Sequence, residues 1–145
     1  HLSISITADA DPITSNLVRT AFTGNAAEIG GGVTNSSGTF SFPSIGKYLV
    51  IVNAQFNLNG SDSINIDTRV TVNNSSYAAV ARAIDGNNGT GVRQGNGMSI
   101  AFIDVGDTSQ VKVNFAVGSV GSGSSVVGNN VFATTTFTFA KIGDT

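Results

Sequence analysis

The chain has 145 residues, of which 11% are charged, with a formal net charge of -2 and no cysteine. This length suits one domain, read as residues 1–145, that buries roughly 70% of the surface its unfolded chain exposes, and no disulfide framework or cysteine-based zinc site staples it. The seven basic residues (Arg19, Lys47, Arg69, Arg82, Arg93, Lys112 and Lys141) are scattered, which argues against nucleic-acid binding, and no apolar run approaches the ~20 residues of a membrane-spanning helix.

Period-two alternation organises the chain. Leu2, Ile4, Ile6 and Ala8 alternate with Ser3, Ser5 and Thr7, predicting an opening strand. Residues 23–38, TGNAAEIGGGVTNSSG, read as a Gly-rich surface excursion with at most a short strand. Phe40 and Phe42 alternate with serine before a Pro/Gly corner. A longer strand follows, with Tyr48, Val50, Val52, Ala54, Phe56 and Leu58 on one face. Its other face begins apolar, at Leu49 and Ile51, and then turns polar at Asn53, Gln55, Asn57 and Asn59. A strand with one face in water does not ordinarily carry Leu and Ile on that face. What covers them bears directly on function.

Further strands are predicted where Ile64, Ile66, Val70 and Val72 alternate with polar residues. The same pattern recurs at Val111, Val113, Phe115 and Val117, and at Phe137 and Phe139. Residues 76–84, SYAAVARAI, could place Tyr77, Val80, Ala81 and Ile84 on a helix face. The stretch is short and follows NNSS, which reads as a hairpin turn, so strand is favoured. The turns NGSDS, VNNSS, DGNNGTG, VGDTS and VGSGSS separate these strands, and several short strands at this spacing point to a two-sheet sandwich or jelly roll.

Catalytic constellations are thin. A Ser-His-Asp triad needs a held imidazole, and the one histidine is His1. The carboxylate pairs Asp9/Asp11, Asp62/Asp67 and Asp104/Asp107 could serve glycoside hydrolysis, but each sits in or beside a turn, where Asp bonds its own backbone. DADP (9–12) and DGNNG (85–89) are the best places for bound calcium, yet the second departs from EF-hand spacing and reads better as a hairpin turn. Neither Gly-rich run, 30–32 or 118–123, carries a phosphate-loop lysine. Glycosylation sequons at Asn35, Asn59, Asn73, Asn74 and Asn88 are expected by chance in so Asn-rich a chain. The expectation is a protein that is not an enzyme and has no cofactor. The opening on His1 reads as a processed protein or a fragment.

Three landmarks in order resemble the globular-head superfamily of the complement first component and tumour necrosis factor. SSGTFSFPSIGKYLVIVNAQFNL (36–58) carries Gly38, Phe40, Gly46, Tyr48 and Val50 at the family's positions. GNGMSIAFIDVGDTSQVKVNF (95–115) is similar to its hairpin with a Val-Gly-Asp turn, here Val105, Gly106 and Asp107. TTTFTFAKI (134–142) resembles the closing strand: Phe137 matches, but the family's Gly-Phe is replaced by Phe139 and Ala140. The resemblance implies an all-β jelly roll of about ten strands in two sheets, assembled as a compact homotrimer and serving as a binding head. It offers a cover for Leu49 and Ile51, namely a neighbouring subunit; the alternative is the 23–38 loop of the same chain.

With the charge-poor Gly/Asn/Ser/Thr surface, the resemblance leads to the expectation of a homotrimeric head on a phage fibre or similar virion appendage. Such a head would stand on a virion surface or outside the cell, and its partner would be a host-surface receptor or glycan. The alternatives are a capsid decoration protein contacting other virion proteins, and a secreted recognition head on a stalk.

Overall fold

The computed structural model describes residues 1–15, 17–18 and 32–145. Among them are nine strands and no helix: β1 Thr34–Ser36, β2 Thr39–Ser41, β3 Gly46–Asn59, β4 Ser63–Thr71, β5 Ala78–Gly86, β6 Val92–Val105, β7 Lys112–Gly118, β8 Ser125–Val126 and β9 Thr136–Gly143. They form two antiparallel sheets, consistent with a β-sandwich. One has the order β1-β2-β7-β4-β5; in the other, β3 is flanked by β6 on one side and by β8 and β9 on the other.

β3 organises the molecule. All its even side chains from Tyr48 to Leu58 are buried, as the alternation predicts. Gly46 opens it at φ +143°, and a Cβ there would overlap the Lys141 side chain and the Gly143 carbonyl. Residues 78–84 of the 76–84 segment are indeed extended, within β5, which pairs with β4 in a hairpin.

The core is thick at one side and thin at the other. Phe40 and Phe115 of one sheet meet Phe137 and Phe139 of the other: Phe40 stacks on Phe139 with centroids 5.2 Å apart, and Phe115 lies 4.4 Å from Phe137. Phe42 and Tyr48 extend the group at 4.6 Å, and the Tyr48 hydroxyl donates to the Ser44 carbonyl at 3.0 Å. Such ring pairs contribute about 0.5–1.5 kcal/mol each beyond their buried area. On the far side, the inward positions of β6 are small: Gly95, Gly97, Ser99 and Ala101. A Cβ on Gly97 would come within 2.9 Å of the Ile84 backbone nitrogen and of the Phe56 ring. Here β5 lies almost directly on β6, and only the missing side chain permits it.

Three expectations are corrected. The opening strand Leu2–Ala8 is absent: only Leu2, Ile6 and Ala10 make isolated bridges, to Leu17, Val126 and Val117. Leu2 and Ile6 are buried while Ile4 is 62% exposed. The segment crosses from β8 of one sheet to β7 of the other, so its burial follows that crossing and not a pleat. Val72 lies in a turn and is exposed, because β4 ends at Thr71, whose hydroxyl accepts the Ser75 N–H at 3.2 Å and bends the chain. Val105-Gly106-Asp107 does not close a hairpin, because β6 and β7 belong to different sheets; the Asp107 carboxylate accepts the Ser109 N–H at 2.7 Å and the turn carries the chain across. Of the Gly-rich excursion, residues 23–31 lie outside the described residues, and the remainder contains β1.

One substitution tests the thin side, and another serves as its control. Gly97→Ala is expected to destabilise the protein by about 1–3 kcal/mol in urea unfolding, through overpacking against backbone. Gly106→Ala, with nothing within 4 Å of its added Cβ, is expected to stay within about 0.5 kcal/mol. Thr68 buries a hydroxyl without a hydrogen-bond partner among the described residues, so Thr68→Val is expected to raise stability by about 1 kcal/mol in the same assay.

Candidate functional site

Because side chains alternate along a strand, burying the even face of β3 sends its odd positions outward. The β3–β6 register sets Leu49 opposite Phe102, Ile51 opposite Ile100 and Asn53 opposite Met98. On the other side of β3, Ala140 lies opposite Leu49 and Thr138 opposite Ile51. Leu49 and Ile51 are therefore half-buried by strand neighbours on both sides. The β6 residues are open: Phe102 is 77% exposed, Met98 64% and Ile100 47%. Together these five side chains make an apolar block on the outer face of the four-stranded sheet. It ends at a charged row, Lys47 opposite Asp104, and at amide rows, Gln55 opposite Asn96 and Asn57 opposite Gln94.

Leu49 and Ile51 stand out from the sequence pattern alone. Met98, Ile100 and Phe102 do not, although GMSIAFID alternates apolar residues on both faces just as YLVIV does; only the register shows that the two outward sets adjoin. Phe40, Tyr48, Val50 and Phe137 lie in or against the core, Gly46 opens β3, and Gly106 and Asp107 form the exposed turn after β6.

The outer face of the five-stranded sheet also leaves a large apolar side chain open, Ile84 at 53%, but sets it among paired polar groups. Arg82 grips the Asp67 carboxylate through two nitrogens, at 2.6 and 2.8 Å. Arg69 donates to Asn114 at 3.0 Å and pairs with Asp11. These polar groups satisfy one another, whereas an apolar block in water can be satisfied only by cover.

The other candidate groups are occupied. Asp9 accepts the Val120 N–H at 2.8 Å and Asp62 the Gly121 N–H at 2.9 Å, so together they pin the β7–β8 connection. Asp85 accepts the Gly86 N–H at 2.8 Å and pairs with Arg93. The α-amino group of His1 donates to the Val18 carbonyl at 2.6 Å. A concavity of about 260 Å³ beside residues 5–15 holds one carboxylate, Asp9, and scattered hydroxyls, which do not converge as a small-molecule site requires. Among the described residues no three His, Cys, Asp or Glu side chains gather as a metal site would need.

The hydrogen bond from Arg82 holds the Asp67 carboxyl below its usual range, and one from Ser124 does the same for Asp62. A carboxylate whose folded pKa is depressed contributes stability above its unfolded value, and that contribution is lost as pH falls through the folded pKa. Acid is therefore expected to destabilise the protein progressively below about pH 4. Asp67→Asn is expected to flatten that limb of the stability–pH curve, measured by urea midpoints between neutral and acid pH.

No family model and no curated protein matches this chain.

Proposed function

We propose that the chain is a non-enzymatic jelly-roll head that assembles as a homotrimer and serves on a phage fibre or similar virion appendage, attaching it to a host surface. The apolar block on the outer face of the four-stranded sheet is the observation that carries this reading. Contiguous apolar surface rimmed by polar rows is the mark of an interaction site, and a closed ring of identical copies covers it on every copy at once. Five of the eight connections between consecutive strands, β2–β3, β3–β4, β5–β6, β6–β7 and β7–β8, cross from one sheet to the other, which supports the jelly-roll part of the proposal. The number of copies rests on the resemblance to the complement and tumour necrosis factor heads.

In this arrangement Leu49, Ile51, Ile100 and Phe102 face neighbouring subunits. The host receptor, a glycan or protein, is met by polar loops at a free end of the sandwich. Three equivalent weak contacts then act together through valency. The domain works on a virion surface or outside the cell.

Sedimentation velocity on the intact chain is expected to show three copies. Phe102→Asp should dissociate them, since losing the burial of one such ring costs about 1.5–3 kcal/mol per protomer, roughly a ten- to hundredfold loss in affinity. A stable monomer from the unaltered chain would refute the assembly. A trimer that binds neither host cells nor isolated envelope glycans would refute the attachment role while leaving the assembly intact.

A further inference from the structure

We infer that Asn88 is a site of spontaneous covalent modification, converting to aspartate and isoaspartate, and that the fold protects the chain's other Asn-Gly pairs from the same reaction. In an Asn-Gly pair the glycine backbone nitrogen can attack the asparagine Cγ. The new N–Cγ bond forms, the Cγ–Nδ2 bond breaks, the attacking nitrogen's proton passes to the departing amine, and ammonia leaves. Water then opens the cyclic imide at either carbonyl. The step needs no oxidant or cofactor. It needs a backbone free to swing into the attacking geometry, which glycine allows and structure restrains.

The chain holds three such pairs: Asn59-Gly60, Asn88-Gly89 and Asn96-Gly97. At the first, both reacting groups are held. Gly60 N–H donates to the Gly91 carbonyl at 3.0 Å, and Asn59 Nδ2 donates to the Ser122 carbonyl at 3.2 Å. The third pair lies within the β3–β6 ladder, opposite Gln55 and Ala54, and Gly97 is buried against the Ile84 backbone. The second pair is different. Asn88 and Gly89 are exposed in the connection between β5 and β6, and among the described residues no hydrogen bond holds the Asn88 side chain. Gly89 N–H donates only to the neighbouring Asn87 side chain, at 3.1 Å.

The position matters because the connection is anchored on both sides of the reactive pair. Asn87 N–H donates to the Asp62 carbonyl at 2.8 Å, and the Gly91 carbonyl accepts from Gly60. Asn87 Nδ2 also reaches the Gly91 carbonyl, at 3.2 Å. Isoaspartate inserts an extra methylene into the backbone between these anchors and adds a negative charge to a chain of net -2. The product is an aged form of the protein with an altered loop at one end of the sandwich.

The test uses the intact chain made in a host without N-glycosylation, because Asn88-Gly89-Thr90 is also a sequon and a glycan would occupy the same nitrogen. The chain is held at mildly alkaline pH and 37 °C, then digested and followed by mass spectrometry, with isoaspartyl methyltransferase labelling. Asn88 is expected to convert at least about tenfold faster than Asn59 or Asn96, and in denaturant all three are expected to convert at similar rates. Gly89→Ala should slow Asn88 by about tenfold or more without unfolding the protein. Its φ lies outside the left-handed region, and the added Cβ meets only the Asn87 Oδ1, at 3.4 Å. Equal rates at the three sites in the folded chain would overturn the inference. So would an Asn88 that stays intact in the folded chain while the denatured chain converts.

Discussion

The burial of one face of β3 is the constraint from which the rest of the sandwich follows. The strand is 14 residues long and pairs along its whole length with β6, while β8 and β9 share its other edge. Every even side chain from Tyr48 to Leu58 lies in the core. A strand held on both edges and packed on one face has no rotational freedom left, since a one-residue slip would turn the whole apolar set outward. Whatever the odd positions carry is displayed on the outer face. Leu49 and Ile51 are outward for that reason, and β6 extends their surface because its register is locked to β3.

The two outer faces then differ in how much apolar surface they leave in water. The five-stranded sheet closes its polar chemistry on itself through Arg82 with Asp67 and Arg69 with Asn114 and Asp11. The four-stranded sheet leaves Phe102, Met98 and Ile100 in water. The asymmetry also runs through the interior. Aromatic rings hold the sheets apart beside β2 and β9, while glycine and alanine let them close where β5 meets β6.

Much of this was legible in the alternation. The pattern of β3, the apolar side of β7 at Val113, Phe115 and Val117, and the extended state of 78–84 follow from residue type at period two. So does the anomaly at Leu49 and Ile51. The failures have a common cause. Leu2–Ala8 alternates well but bridges two sheets, so Ile4 is left outside. Val72 continues an alternation that the Thr71 hydroxyl ends. Val105-Gly106-Asp107 has turn chemistry but joins strands in different sheets. In each case the local pattern was silent about the partner segment, and the partner decided the outcome.

Period-two patterning by itself determined that this is a β protein, which face of β3 is buried, and that its opposite face carries two side chains ill suited to water. These are properties of neighbouring residues along one strand. Tertiary structure alone decided that Phe102, Ile100 and Met98 adjoin those two side chains, that Gly97 must lack a Cβ, and that the Asn-Gly pairs at 59, 88 and 96 differ in their restraint. Those facts depend on register and on contacts between segments far apart in the chain, and no short-range pattern encodes which strand lies beside which.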